Sequence, residues 1–344
     1  MSRPEPARSP SRRHTVLYQG RTTLALQELT LSVQPPEFED VWLDEADPPD
    51  ERQRKLAAAE FFVGGRVDEA LLAQMPNVRL IHMPGVGYDQ IDVEACQRRG
   101  VPVAITPEGT VTGVAEHTVM MILALYKHLA EAHNALKAGQ WIHSQLRPIC
   151  LMLAGKRVGI VGMGRIGCEV ARRLQGWEVE LVYNDIARRP HEEERRLSAT
   201  YLGLDELLGS SDVVTLHVFL SEGSRHLIGE RELGLMKPGA VLINTSRGGV
   251  VDEAALGRAL AEGRLYGAGI DAWEQEPTPP DNPLLKLEHV LVTPHMATAN
   301  RDAVVRKSQA VYANFQRVLR GEAPINTVKP YKVVEEERTH AAIP

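Results

Sequence analysis

The chain has 344 residues, 43% apolar and 24% charged, with a formal net charge of −6. That is a globular mixture long enough for about two domains, and its acidic balance argues against nucleic acid or an anionic membrane surface as a partner, since both reward basic surfaces. The apolar run over 118–126 is too short to cross a bilayer, no apolar stretch near the start suggests a secretory signal, and three scattered cysteines (Cys96, Cys150, Cys168) suggest neither disulfides nor a metal cluster, as expected for a cytoplasmic protein.

Residues 1–13 mix Pro, Ser and Arg and read as a disordered tail; a basic nucleic-acid arm is the sharper but weaker reading. Residues 78–82 read as a buried strand. Residues 112–129 read as a helix apolar around much of its circumference, the pattern of a buried helix. From there short apolar runs recur at 158–161, 180–183, 213–216, 240–244, 267–271 and 290–293, each a candidate strand. Helical patterns separate them. Over 166–174, Ile166, Val170 and Leu174 share one face; over 252–262, Asp252 is the N-cap, Ala255, Leu256, Ala259 and Leu260 form a stripe, and Gly263 sits just past the end. Strand–helix–strand units at this spacing imply an α/β fold with a doubly wound parallel sheet. Residues 331–344 read as a second tail.

The strand at 158–161 runs into Gly162-Met163-Gly164-Arg165-Ile166-Gly167, a G-x-G-x-x-G turn that opens a helix. Gly162 permits the tight turn, Gly164 lets backbone approach a pyrophosphate, and Gly167 allows close helix–strand packing. The helix start then offers N–H groups and partial positive charge to phosphate. The next strand ends in Asp185, placed to bind the adenosine ribose hydroxyls. A carboxylate there repels a 2′-phosphate, so NAD is expected over NADP, although Arg188 and Arg189 follow closely and soften that preference.

Open α/β sheets bind ligands beyond the carboxyl ends of their strands. Three such ends carry Thr245-Ser246-Arg247-Gly248-Gly249, Ala272-Trp273-Glu274-Gln275-Glu276-Pro277 and Pro294-His295-Met296. Reducing a 2-keto acid needs a cation for the carboxylate and carbonyl, an acid for the new alkoxide, and a partner to orient that acid. Arg, His and a carboxylate suit those tasks.

With these motifs in order, the chain over about 14–330 resembles the D-isomer specific 2-hydroxyacid dehydrogenases, in particular glyoxylate/hydroxypyruvate reductases. NTSRGG resembles the family's N-x-x-R-G, DAWEQEP its D-x-x-x-x-E-P, and TPH its T-P-H. The resemblance implies a catalytic set of Arg247, Glu276 (with Glu274 as competitor) and His295. It also implies cofactor contacts from Gly162, Gly164, Arg165, Ile166, Gly167, Asp185, His217, Thr245 and Asp271. The loop HMPGVGYDQID resembles the family's substrate loop, so backbone N–H groups of Val86 and Gly87 would join Arg247 in binding the substrate carboxylate. Met83 and Tyr88 are candidates to line the pocket or to pack in the core.

Further implications are a Rossmann-type NAD-binding domain over 116–297 and a smaller, discontinuous flavodoxin-like substrate domain over 14–115 plus 298–330. A homodimer would form through the 112–129 helix, the alternative being an intramolecular core helix. No metal is expected. The function implied is NAD-dependent interconversion of a small 2-keto acid and its (2R)-hydroxy acid. The alternative is an NAD(H)-sensing, co-repressor-like binding protein of the same fold. Two departures stand out: Phe219-Leu220-Ser221 replaces the usual P-L-T, and Tyr126-Lys127-His128 replaces an arginine at the end of the long helix.

Overall fold

The computed structural model describes residues 12–20 and 22–330. Most of the expected tail over 1–13, and all of that over 331–344, lie outside them. The chain folds as two compact units, one running to Thr110 and resumed over Asn300–Pro330, the other spanning Val111–Ala299.

The first unit is a parallel sheet of β1 (His14–Tyr18), β2 (Phe38–Trp42), β3 (Phe61–Val63), β4 (Leu80–Met83) and β5 (Val103–Ile105), in the order β2-β1-β3-β4-β5. This is the flavodoxin-like order. Sequence periodicity anticipates only β4, which begins two residues later than expected. β3 and β5 have three residues each, and β2 (FEDVW) interrupts its apolar positions with charge. The core is completed from the other end of the chain. The helix Arg301–Leu319, capped by the Asn300 side chain, lays Val311, Tyr312 and Phe315 against Val16, Phe38, Phe61 and Leu80. The rings of Phe61 and Phe315 stack with centroids 4.4 Å apart.

The second unit is a seven-stranded parallel sheet of β6 (Arg157–Val161), β7 (Glu180–Asn184), β8 (Ala199–Tyr201), β9 (Val213–Leu216), β10 (Val241–Asn244), β11 (Gly267–Ile270) and β12 (Val290–Val292). Its order, β12-β11-β10-β9-β6-β7-β8, is the doubly wound Rossmann arrangement, with the switch point between β6 and β9. Most of these strands are covered on both faces, so they read as unbroken apolar runs; the short edge strand β8 (ATY) gave no such signal. Asp252 caps the helix Glu253–Ala261 by accepting the Ala255 N–H at 2.9 Å, and Gly263 takes the expected left-handed turn at φ +67°.

The long helix differs from the expectation over 112–129. It spans Thr110–Tyr126 and stops there because His128 adopts the left-handed conformation, φ 47°, with Nε2 2.7 Å from the Tyr266 hydroxyl. Lys127 donates to the Leu151 carbonyl at 2.8 Å. The departure at 126–128 thus closes one helix before Leu129–Lys137 begins. The long helix is itself a core element: Ala115, Met121, Ile122, Leu125 and Tyr126 pack in the cluster containing Val158, Ile160 and Ile243.

Candidate active site

The glycine turn follows β6. Gly162 has φ +94°, and a Cβ there would lie 2.6 Å from the His217 carbonyl oxygen. A Cβ on Gly167 would lie 2.1 Å from the Gly162 oxygen and 3.2 Å from Ile160 of β6, so any side chain would force the helix off the turn. Gly164 differs: it is the N-cap of the helix Arg165–Leu174, and nothing lies within 4 Å of the Cβ position. The turn is therefore closed by two glycines and left open at the third. A helix start leaves its first N–H groups without intrahelical acceptors, a geometry that suits an anion such as phosphate.

Asp185 follows β7 and accepts the Met163 N–H at 2.8 Å, which sets the acid against this turn. Just past β9, His217 Nε2 meets the Thr215 hydroxyl at 3.0 Å, while its Nδ1 is buried without a hydrogen-bond partner. Burial pushes that imidazole down to about 3, so it is neutral. Thr245, past β10, is buried with its hydroxyl 2.9 Å from that of Thr118. An open glycine turn at a helix start, an acid after the next strand and a buried imidazole nitrogen without a hydrogen-bond partner are a set that fits a dinucleotide.

The catalytic candidates come from three adjacent strands. At the end of β10, Asn244 shapes the turn: its Oδ1 accepts from Ser246 N–H and hydroxyl, and its Nδ2 donates to the Arg247 carbonyl at 3.0 Å. At the end of β11 the chain runs through Trp273 to Glu276, whose Oε1 accepts the Trp273 N–H at 3.0 Å. Gly248 joins these two loops. A Cβ there would lie 1.8 Å from the Trp273 carbonyl carbon, so only glycine lets the segments carrying Arg247 and Glu276 touch. Past β12, His295 Nδ1 lies 2.8 Å from each Glu276 carboxylate oxygen. Burial alone would raise the Glu276 carboxyl. The hydrogen bonds from His295 and Trp273, with the charges of His295 and Arg247, outweigh it and hold the carboxyl below its usual range. Glu274 does not compete: it pairs with His226 at 3.0 Å and exchanges hydrogen bonds with Glu253 at the start of the preceding helix, Glu253–Ala261.

Asp271 lies beneath the His295 loop, fully buried. Its carboxylate accepts from the Thr293 hydroxyl (2.6 Å), Met296 N–H (2.8 Å) and Ala297 N–H (3.0 Å), and its carbonyl from His295 N–H (2.8 Å). Its side chain orders the strand end. His117, from the long helix, adds Nε2 at 3.1 Å to the Thr293 hydroxyl, and Trp273 Nε1 donates to the Thr293 carbonyl. Thr293 is visible in the T-P-H motif, but nothing in the sequence signals that His117, 176 positions earlier, supports the same loop.

The remaining candidates lie in the first unit. Val86 and Gly87 follow β4, in a loop tied down by Thr106 N–H to the Gly85 carbonyl at 2.7 Å. Tyr88 is buried and its hydroxyl donates to the Lys329 carbonyl at 2.9 Å, a packing role. Among the described residues no group of three or more His, Cys, Asp or Glu forms a metal site, and no helix is long and apolar enough to cross a membrane.

Residues 119–297 match the family model of the D-isomer specific 2-hydroxyacid dehydrogenase NAD-binding domain. The chain is 40% identical over 314 residues to a glyoxylate reductase of Korarchaeum cryptofilum, covering 89% of this chain and 94% of that one. Among solved structures it is similar to an NADPH-dependent glyoxylate/hydroxypyruvate reductase of Sinorhizobium meliloti in complex with NADP and malonate (29% identity, TM-score 0.80, covering 92% of this chain and 97% of that one). It is also similar to the D-lactate dehydrogenase of Aquifex aeolicus complexed with NAD and lactic acid (29% identity, TM-score 0.76, 89% and 96% covered). These relatives are enzymes, which disfavours the binding-protein alternative. The chain belongs to the D-isomer specific 2-hydroxyacid dehydrogenase family and is a nicotinamide-dependent oxidoreductase that interconverts 2-keto and 2-hydroxy acids.

Proposed function

We propose that the chain reduces small 2-keto acids, glyoxylate and hydroxypyruvate foremost, with NADH. The observation that carries this reading is the His295–Glu276 pair, with nitrogen 2.8 Å from both carboxylate oxygens, beside an Arg247 loop that touches the Glu276 loop. Bound nicotinamide supplies the hydride to the carbonyl carbon. Glu276 holds His295 through Nδ1 and leaves Nε2 to donate the proton that the carbonyl oxygen takes up as its negative charge grows. Arg247 grips the substrate carboxylate and polarises the carbonyl with its planar fork. Val86 and Gly87 offer backbone N–H groups of a kind suited to a carboxylate. In the oxidative direction His295 takes the proton back.

Gly162, Gly164, Arg165, Ile166 and Gly167 form the pyrophosphate cradle in this reading, with Asp185 on the adenosine ribose. His217 and Thr245 border the nicotinamide end, and Asp271 acts there through the loop it holds. The carboxylate at position 185 supports NAD over NADP, because it repels a 2′-phosphate.

A homodimer is supported by the helix Leu129–Lys137, which buries none of its residues. Leu129 and Leu136, seven apart and so on one face, are 57% and 59% exposed, and Trp141 and Met152 nearby are 78% and 70% exposed. An apolar surface of that kind fits a second copy of the chain. Three unpaired thiols support a reducing, cytoplasmic setting. The test is NADH oxidation against glyoxylate, hydroxypyruvate, pyruvate and longer 2-keto acids. Turnover falling with side-chain size supports the reading; tight NADH binding without turnover of any of them overturns it.

A further inference from the structure

The residues after Asp185 hold two arginines where one would ordinarily welcome a 2′-phosphate, and both are engaged. Arg189 donates from Nε (2.8 Å) and Nη2 to the carbonyl of Met163, the residue whose N–H Asp185 holds. Arg189 also lies 3.7 Å from Glu193. Arg188 makes a two-pronged pair with Glu194: Nε to Oε1 at 2.9 Å and Nη2 to Oε2 at 3.0 Å. Its guanidinium carbon lies 5.7 Å from the ring centre of Tyr201 on β8.

Glu194 is no ordinary surface acid. It is 8% exposed and accepts two further bonds, from the Tyr183 hydroxyl on β7 at 2.8 Å and from His191 Nδ1 at 2.9 Å. The Tyr183 hydroxyl in turn accepts the Arg189 N–H at 2.8 Å, so the network fixes the backbone between Asp185 and the helix His191–Leu197. The Arg188 hydrogen bond is the chief cause that lowers the Glu194 carboxyl to about 2, so the trap stays charged through the working pH range.

We propose that Glu194 is a specificity-determining residue: by binding the half-exposed Arg188 in a two-pronged fork and neutralising it, the buried Glu194 carboxylate keeps that cation from a cofactor's 2′-phosphate and leaves the Asp185 carboxylate to select NAD. The proposal rests on the NAD reading above and goes beyond it by naming the residue that enforces it. Glu194→Gln keeps the size and the Oε1 acceptor shared by Tyr183 and Arg188 Nε, but removes the negative charge and sets an NH2 group against Arg188 Nη2, which leaves the guanidinium un-neutralised and loosens the fork.

The experiment titrates NADH and NADPH into wild type, E194Q, R188M and the E194Q/R188M double variant, following bound-cofactor fluorescence, with melting curves for each. Wild type binds NADH more tightly. E194Q tightens NADPH about tenfold, the size of one solvent-exposed charge-assisted hydrogen bond, and leaves NADH within about twofold. The double variant loses that gain, and R188M alone changes neither affinity. A wild type that prefers NADPH overturns the NAD reading itself. With the wild-type preference intact, an unchanged ratio in E194Q, or a gain that survives R188M, overturns the role of Glu194. Should E194Q fail to fold, R188M still decides: NADPH weakened more than threefold would mean that Arg188 already reaches the cofactor.

Discussion

Gly248→Ala tests whether the catalytic loops depend on their contact. The added carbon would sit 1.8 Å from the Trp273 carbonyl carbon and 2.1 Å from both the Trp273 oxygen and the Glu274 nitrogen. All three are backbone atoms, so no side chain can rotate away. Restoring van der Waals separation requires the two segments to part by about 1.6 Å. One segment carries Arg247 and the other leads to Glu276, so the guanidinium and the carboxylate move apart by a similar distance. A misplacement of about 1 Å in a reacting geometry costs on the order of 10²-fold. The strain itself, as overpacking, costs about 1–3 kcal/mol, which lowers Tm by several degrees in a unit of this size and leaves the protein folded at 25 °C. The assay is steady-state NADH oxidation alongside NADH titration and a melting curve. The expected result is kcat down at least about a hundredfold, with NADH affinity nearly unchanged because the glycine turn is untouched. Wild-type kcat in a folded G248A enzyme would refute the reasoning.

Other outcomes follow from the same geometry. His295→Gln lowers kcat by about 10²–10⁴-fold, the usual weight of a general acid, and leaves NADH affinity unchanged; full activity would remove His295 from its role. Gly164→Ala and Gly167→Ala separate binding from folding. The first meets nothing within 4 Å and keeps its Tm but weakens NADH, whereas the second collides at 2.1 Å with the Gly162 oxygen and lowers Tm; equal Tm in both would contradict this. Asp185→Ala raises NADPH affinity relative to NADH, read by the same titration. Glu194, with its carboxyl lowered to about 2 chiefly by Arg188, lends stability that is complete above its ordinary range near 4.5 and fades as pH falls toward 2. The Tm gap between wild type and E194Q therefore holds from neutral pH down to about 4.5 and narrows from there toward pH 2, and a gap that stays constant to pH 2 would count against the pairing.

How much of this was legible in the chain differs between the units. The strands of the second unit are buried on both faces, so their residues are apolar without interruption and stand out between helical patterns. The short or charge-interrupted strands β2, β3 and β5 of the first unit leave no such mark. The helix end at Tyr126 also escaped the sequence, because His128 has neither glycine's freedom nor a proline after it. Its left-handed turn accompanies a contact with Tyr266, 138 positions away.

By itself the sequence specified the chemistry available: a glycine turn opening a helix, an acid one strand later, and an arginine, a glutamate and a histidine at successive strand ends. Those features are local, because each depends on residues within a few positions of one another. Only the tertiary structure decided which groups meet. It paired Glu276 rather than Glu274 with His295, pressed Gly248 against Trp273, set Asp271 under the histidine loop with His117 behind it, and turned Arg188 onto Glu194. Apart from the Arg188–Glu194 pair, which is six positions apart, each of these depends on strand order and helix packing, which bring distant residues within 3 Å or so of one another, and no spacing along the chain encodes that.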